Sequence, residues 1–254
     1  MYIHGLNYHS YQPPRRLLFR PSSHPATLLI PPFHIMTTTI ADEQSDGLSR
    51  KERERLLHRA DILAAGERVF ASKGFHLATI EEIAREAEFS VGTIYNFFSG
   101  KDALYEEVIR FIVESCHNDF TRLVLPENDP QTAINLLIDL RVQQYEQHQG
   151  LFHIVLESLP TGHFNPANVL PEDCRKYHEN YFQSLCDIFA RGRAQGLFSD
   201  EAPLSLALIF EGVINTFVAY WSKKRSGQLS PHLVRDLKRV VFRALGCEER
   251  TVSP

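Results

Sequence analysis

A chain of 254 residues with a formal charge of -4 and a sequence pI of about 6.3 has room for one generous core or two modest domains; it has no global positive field for coating nucleic acid, although a specific reader with few local contacts remains allowed. Cys116, Cys174, Cys186 and Cys247 form no CxxC pair and the twelve histidines no HxxxH or HExxH pattern, so no oxidising compartment, metal site or cofactor is called for. No apolar run is expected to reach the roughly 20 residues that cross a bilayer, which makes the chain cytoplasmic and without a membrane partner.

Residues 1–48 read as a disordered extension. Pro13, Pro14, Pro21, Pro25, Pro31 and Pro32 break every apolar run there. Arg15, Arg16 and Arg20 give a faintly signal-like front, but the apolar segment behind them is too short. Met36 opens a polar lead-in and is expected to be the natural start, with residues 1–35 a mis-called extension. The first helix is expected over Lys51–Lys73, where Leu56, Ala60, Leu63 and Phe70, flanked by Ile62 and Val69, give a broad buried stripe. Gly74 follows as a left-handed terminating residue. Arg50, Lys51, Arg53, Arg55 and Arg59 make the start of this helix locally basic. That is either a solvated face laced with Glu52 and Glu54 or a source of one or two phosphate contacts.

Thr79-Ile80-Glu81-Glu82 forms a capping box, and Ile80, Ile83, Ala84 and Ala87 then give a short helix one buried face. Too short to persist alone, it must lean on the first helix. After a turn at Glu88 and Phe89, Ser90 caps a third helix in which Ile94 and Phe98 point inward. Val91, Gly92, Thr93, Tyr95 and Asn96 are left for the outer surface or helix start. Gly92 admits a close visitor such as a DNA backbone. Thr93 and Tyr95 offer hydroxyls to phosphate, Val91 and Thr93 methyls to a thymine edge, and Asn96 can reach either a base or a phosphate. Helix-turn-helix geometry puts such a helix in the major groove; a generic three-helix core with a polar exterior is the bland alternative.

The segment GTIYNFFSGKDAL resembles the signature of the TetR family of transcriptional regulators. Phe70, Gly74, Thr79, Ile83, Ala84, Ser90, Gly92, Thr93, Tyr95, Phe98, Lys101 and Leu104 fit that pattern over roughly Ala60–Val108. The resemblance implies an all-α fold: an N-terminal three-helix helix-turn-helix domain followed by a larger helical ligand-binding and dimerisation domain. It also implies that Thr79, Ser90, Val91, Gly92, Thr93, Tyr95, Asn96, Phe97 and Lys101 lie at the DNA surface. Two positions depart from the pattern. Glu88 stands where a turn glycine is usual and must adopt a strained left-handed conformation or reshape the turn. Phe97 stands where His or Tyr is frequent, which removes a phosphate hydrogen bond.

Leu104–Leu123 reads as a fourth helix, with Leu104, Val108, Ile112, Cys116 and Phe120 on one stripe. Apolar-periodic stretches follow at Pro130–His148, Leu151–Ser158, Pro171–Gln195, Pro203–Lys224 and Pro231–Leu245, without sustained alternation, so the body is expected to be helical. Residues 204–221 are unusually apolar. Their small members Ala207, Gly212 and Ala219 permit close approach of another helix, while Leu208, Ile214, Phe217, Val218 and Trp221 can fill both a core and a subunit seam. The resemblance assigns the last two helices to a four-helix dimer interface, carried here onto Leu208, Gly212, Phe217, Trp221, Val234, Leu237 and Val241. An effector pocket is sought among Phe111, Phe120, Tyr145, Phe152, Phe164, Tyr177, His178, Tyr181 and Phe182, with Arg141, His153, Glu157 and Asn215 to orient a polar group. Each of these aromatics serves equally well as ordinary core.

The expected organisation is therefore a disordered extension over 1–48, a helix-turn-helix DNA-binding domain over 49–103, a helical effector-binding and dimerisation domain over 104–246 and a short tail over 247–254. The expected function is a ligand-responsive repressor. It binds a palindromic double-stranded DNA operator as a homodimer and is released by a partly apolar small molecule, with Leu104–Phe120 as the mechanical link. A helical assembly protein without DNA-regulatory activity is one competitor. A metal- or thiol-dependent enzyme using His153, His163, Cys174 and His178 is another, although these residues have no ordered ligand spacing or nucleophile motif. No catalytic residue is expected.

Overall fold

A computed structural model describes residues 48–149, 152, 170–224 and 229–247. Among these the secondary structure is helical throughout: α1 (Arg50–Leu77), α2 (Ile80–Glu86), α3 (Val91–Phe97), α4 (Lys101–Leu123), α5 (Pro130–Gln147), α6 (Glu172–Ala194), α7 (Pro203–Lys224) and α8 (Pro231–Ala244). The expectations for Met36 and the extension, for a helix over 151–158 and for the tail beyond Cys247 lie outside the described residues, Phe152 apart.

Local chemistry sets most of the helix starts. Ser49 accepts from the Glu52 amide at 3.3 Å while Glu52 accepts from the Ser49 amide at 2.8 Å, so a capping box opens α1 one residue earlier than expected. Thr79 and Glu82 form the expected box at α2, and Ser90 accepts from the Thr93 amide at 3.0 Å to open α3. Asp129 and Ser230 cap α5 and α8, each followed by a proline whose missing N–H costs nothing in the first turn. Within α1, Gly74 takes φ 77 and ψ 163, so the regular helix breaks where the sequence placed its end and a further turn carries the chain to Leu77.

Two hydrophobic clusters result. The first joins Ile62, Leu63 and Phe70 of α1, Ile83 of α2 and Ile94 of α3 to Leu104, Val108 and Ile112 of α4. Gly66 makes the α1–α4 crossing close: a Cβ there would lie 3.3 Å from Val108 Cγ2. The second cluster begins at Phe120 and gathers α5, α6, α7 and α8 around Tyr145, Phe189, Phe210 and Trp221. Helix α4 serves both, its first half in one cluster and its end in the other. Its register therefore ties their positions together.

One expectation is overturned. The stretch Pro203–Ser222 spans 20 residues at a mean hydropathy of 1.5, long and apolar enough by length and composition to cross a membrane. Its location gives the apolarity another cause: Leu206, Ala207, Phe210, Ile214, Val218 and Trp221 are buried in the second cluster. The remaining face carries Leu204, Leu208, Gly212, Thr216 and Tyr220, all exposed at intervals of four.

Candidate nucleic-acid interface and effector site

Helices α2 and α3 are held at a fixed angle by the turn between them. The Phe89 amide donates to the Ala84 carbonyl at 2.9 Å and the Glu88 amide to the Arg85 carbonyl at 3.2 Å. These are the paired bonds of a Schellman ending, which needs a left-handed residue at Glu88. Glu88 supplies it with φ 59, the only non-glycine positive φ among the described residues. Arg68 and Lys73 of α1 pair with Glu86 and Glu82, locking α2 against the first helix.

So fixed, α3 buries Ile94 and its capping residue Phe98 and turns the opposite side outward. Gly92, Tyr95 and Asn96 are exposed, Val91, Thr93 and Phe97 are half-buried, and a Cβ on Gly92 would meet nothing nearer than Ser90 Oγ at 3.7 Å. The hydroxyls of Ser90 and Thr93 stand 2.8 Å apart, one donating to the other. Thr79 is exposed at the start of α2 on its cap. Lys101 is placed differently from its neighbours. Its Nζ donates to the carbonyls of Phe75 (2.9 Å), His76 (3.3 Å) and Ala78 (3.1 Å) and lies 4.6 Å from the centre of the Phe75 ring. These carbonyls close α1 beyond its kink, so the ammonium neutralises a helix end. Any phosphate contact by Lys101 competes with them.

In the body, several of the residues considered for an effector converge on one carboxylate that the sequence reading passed over. Glu211 of α7 accepts from Arg141 Nη2 of α5 at 3.0 Å, from Asn215 Nδ2 at 3.3 Å and from the Tyr181 hydroxyl of α6. Arg141 also stacks on the Tyr181 ring, 5.5 Å from its centre. His178 stacks on Phe182 and is kept below its ordinary pKa by burial. Tyr145 packs between Phe152 and Trp221 as core. Phe111 packs with the first cluster. His153 and Glu157 lie outside the described residues. The sequence signal for Glu211 was an acid inside an apolar helix, four residues before Asn215.

The seven residues carried onto the dimer seam divide. Leu208 is 57 % exposed and Gly212 is exposed with open space where a Cβ would stand, while Phe217 and Val234 are half-buried. Trp221, Leu237 and Val241 are buried inside this chain's own second cluster and present no surface to a partner. Leu204 and Tyr220 on α7, with Leu233 and Val240 on α8, are further exposed residues on these two helices, outside those seven. An apolar helix such as α7 does not reveal in sequence which side its own neighbours cover.

Two polar ties join the clusters beside α4. Glu67 of α1 and His148, the C-cap of α5, meet at 2.6 Å in a buried contact. Arg110 of α4 reaches Asp173 of α6 at 2.6 Å and holds its carboxyl below the ordinary range. Among the described residues no three His, Cys, Asp or Glu are arranged to hold a metal. Burial pushes the thiol of Cys116 up to about 12 and that of Cys174 up to about 11. Both stay protonated, so the thiol-enzyme alternative finds no nucleophile in either.

Comparison with known proteins points the same way. Residues 62–108 match the family described as bacterial regulatory proteins, tetR family. The chain is 28 % identical over 181 residues to the HTH-type transcriptional repressor NicS of Pseudomonas putida, covering 70 % of this chain and 82 % of that one. It is 24 % identical over 164 residues to the uncharacterized HTH-type transcriptional regulator YxaF of Bacillus subtilis, covering 64 % and 80 %. Among solved structures, a tetR-family regulatory protein from Rhodococcus RHA1 superposes with a TM-score of 0.59 at 18 % identity, covering 76 % of this chain and 98 % of that one. The fatty acid degradation regulator FadR of Bacillus halodurans gives 0.58 at 18 %, covering 72 % and 94 %. At those identities the superpositions speak to the fold alone.

Proposed function

Because the chain belongs to the TetR family of DNA-binding regulatory proteins, we propose that it is a repressor that grips a palindromic operator as a homodimer and lets go when a small molecule binds its body. Residues 49–103 are the reader and 104–246 the effector-binding and dimerisation body. The observation that carries this reading is the bare outer side of α3, where Gly92, Tyr95 and Asn96 face away from the chain on a helix locked by its cap and by Ile94. Thr79, Ser90, Val91, Thr93, Phe97 and Lys101 complete the proposed DNA surface. Repression is favoured over activation by the name of the Pseudomonas putida relative. A DNA partner places the protein in the cytoplasm.

The exposed side of α7, with Leu204, Leu208, Gly212 and Tyr220, and Leu233 and Val240 of α8 form the proposed seam between copies. Two α3 helices then address half-sites about one DNA turn, or a multiple of it, apart. The effector is proposed to engage the Arg141–Glu211–Asn215 group beside His178 and Phe182, partly apolar with a polar head. A ligand that prefers one body arrangement shifts the separation of the readers through α4, and DNA affinity falls by as much as the ligand discriminates between arrangements. Selection of operators from random duplexes tests the reading. Inverted, paired half-sites are expected; a single unrepeated site contradicts it.

A further inference from the structure

Five cations crowd the first turns of α1, and their contacts separate them. Arg50 pairs with Glu54 at 2.8 Å, Arg53 donates to the Leu48 carbonyl at 2.8 Å, and Arg59 is held by Glu107 of α4 while lying 5.5 Å from the Phe98 ring centre. Lys51 and Arg55 have no carboxylate or carbonyl acceptor among the described residues, and both are exposed. They stand four residues apart, on one side of the helix. On that side Arg55 meets the end of α3, its guanidinium carbon 5.7 Å from the centre of the Phe97 ring, while His58 meets Phe89 of the α2–α3 turn edge-on at 4.9 Å.

Phe97 ends α3 half-buried against the first cluster, and its ring has no hydrogen-bonding group. A guanidinium resting over an aromatic face is oriented but only weakly held at an exposed site. Its N–H donors remain available for an acceptor, and a planar fork suits a phosphate oxygen pair. A helix inserted into a major groove has a phosphate backbone along each flank, where contacts fix its register without reading bases. We propose that Arg55, propped on Phe97, is a phosphate-binding residue of the DNA interface, with Phe97 as its positioning residue. The proposal rests on the reading of α3 as the groove helix. It selects Arg55 over Arg50, Arg53 and Arg59 because those three already hold acceptors inside the chain.

The test is fluorescence anisotropy of the full chain on its selected operator duplex across a salt series. Arg55→Ala is expected to melt like the wild type, to bind about tenfold more weakly, and to lower the salt slope by about 0.9 per lost phosphate contact, so by about two for a dimer. Phe97→Leu keeps the apolar cover but removes the stacking face. It is expected to weaken the wild type and to add nothing in the Arg55→Ala background. Phe97→His gives the ring a donor of its own and is expected to recover part of the Arg55→Ala loss. An unchanged salt slope in Arg55→Ala, beside a Tyr95→Ala variant that has lost binding, overturns the role of Arg55 alone. Fully additive losses from Arg55→Ala and Phe97→Leu overturn the positioning role. A wild-type chain that selects no duplex sinks the groove reading and this proposal with it.

Discussion

Glu88 performs a glycine's task at φ 59 in the turn between α2 and α3. A left-handed conformation costs an L-residue about 1–2 kcal/mol, and the greater freedom of glycine in the unfolded chain returns part of that. Glu88→Gly is therefore expected to stabilise the protein by about 0.5–1 kcal/mol, read as a later midpoint in urea with an unchanged slope. An earlier midpoint would show that the Glu88 side chain contributes more than its backbone costs. Two histidines contribute to the response to mild acid. Burial lowers the pKa of His117 and of His178 below the ordinary value of 6.5, and His117 Nδ1 is buried without a hydrogen-bond partner among the described residues. The unfolded chain thus takes up these protons first, so stability is full above pH 6.5 and declines as pH falls toward the folded values. Urea melts at neutral and mildly acidic pH should differ in that direction, and a His117→Asn, His178→Asn variant should narrow the difference. A gap left intact would assign the acid response to other groups.

Helix ends were readable because their causes are local. Thr79, Ser90 and Ser230 each satisfy amides within three residues, and Gly74 breaks α1 through its own dihedral angles. Contacts set by distant segments were not readable. Gly192 looks like an ordinary interior glycine of α6, but the chain folds back after that helix and lays Phe198 against it. A Cβ on Gly192 would stand 2.1 Å from Phe198 Cε2 and 3.1 Å from Pro130 Cβ. Phe198 cannot swing away, because it is 5 % exposed and packs edge-on with Phe189. Gly192→Ala is expected to cost about 1–3 kcal/mol through overpacking, measured by thermal or urea melting. A loss below a few tenths would mean that the ring has room to move. The carboxylate of Glu211 escaped notice for the same reason, since its three donors come from α5, α6 and α7 and only the assembled body brings them together.

At the scale of the whole molecule, the two hydrophobic clusters meet along α4, with Glu67–His148 and Arg110–Asp173 as polar ties between them. The fold class and the bounds of α3 could be inferred from periodicity and caps. The division of α7 into a core side and an exposed side could not, because Leu208 and Trp221 sit in the same apolar run and only the placement of α8 and the remaining helices distinguishes them. Leu208→Arg puts a charge on the exposed side without entering the core. It is expected to convert the proposed dimer to monomer in sedimentation, to leave helicity unchanged and to abolish tight operator binding. A variant that stays dimeric would place the seam elsewhere. The proposed pairing stripe on α7 and the outer side of α3 share no residue, so damage to one leaves the other intact. For a repressor paired in the proposed way, an allele defective in α3 but sound in α7 should therefore be dominant: expressed beside the normal gene, its product would sequester healthy subunits in mismatched pairs and derepress the target promoter.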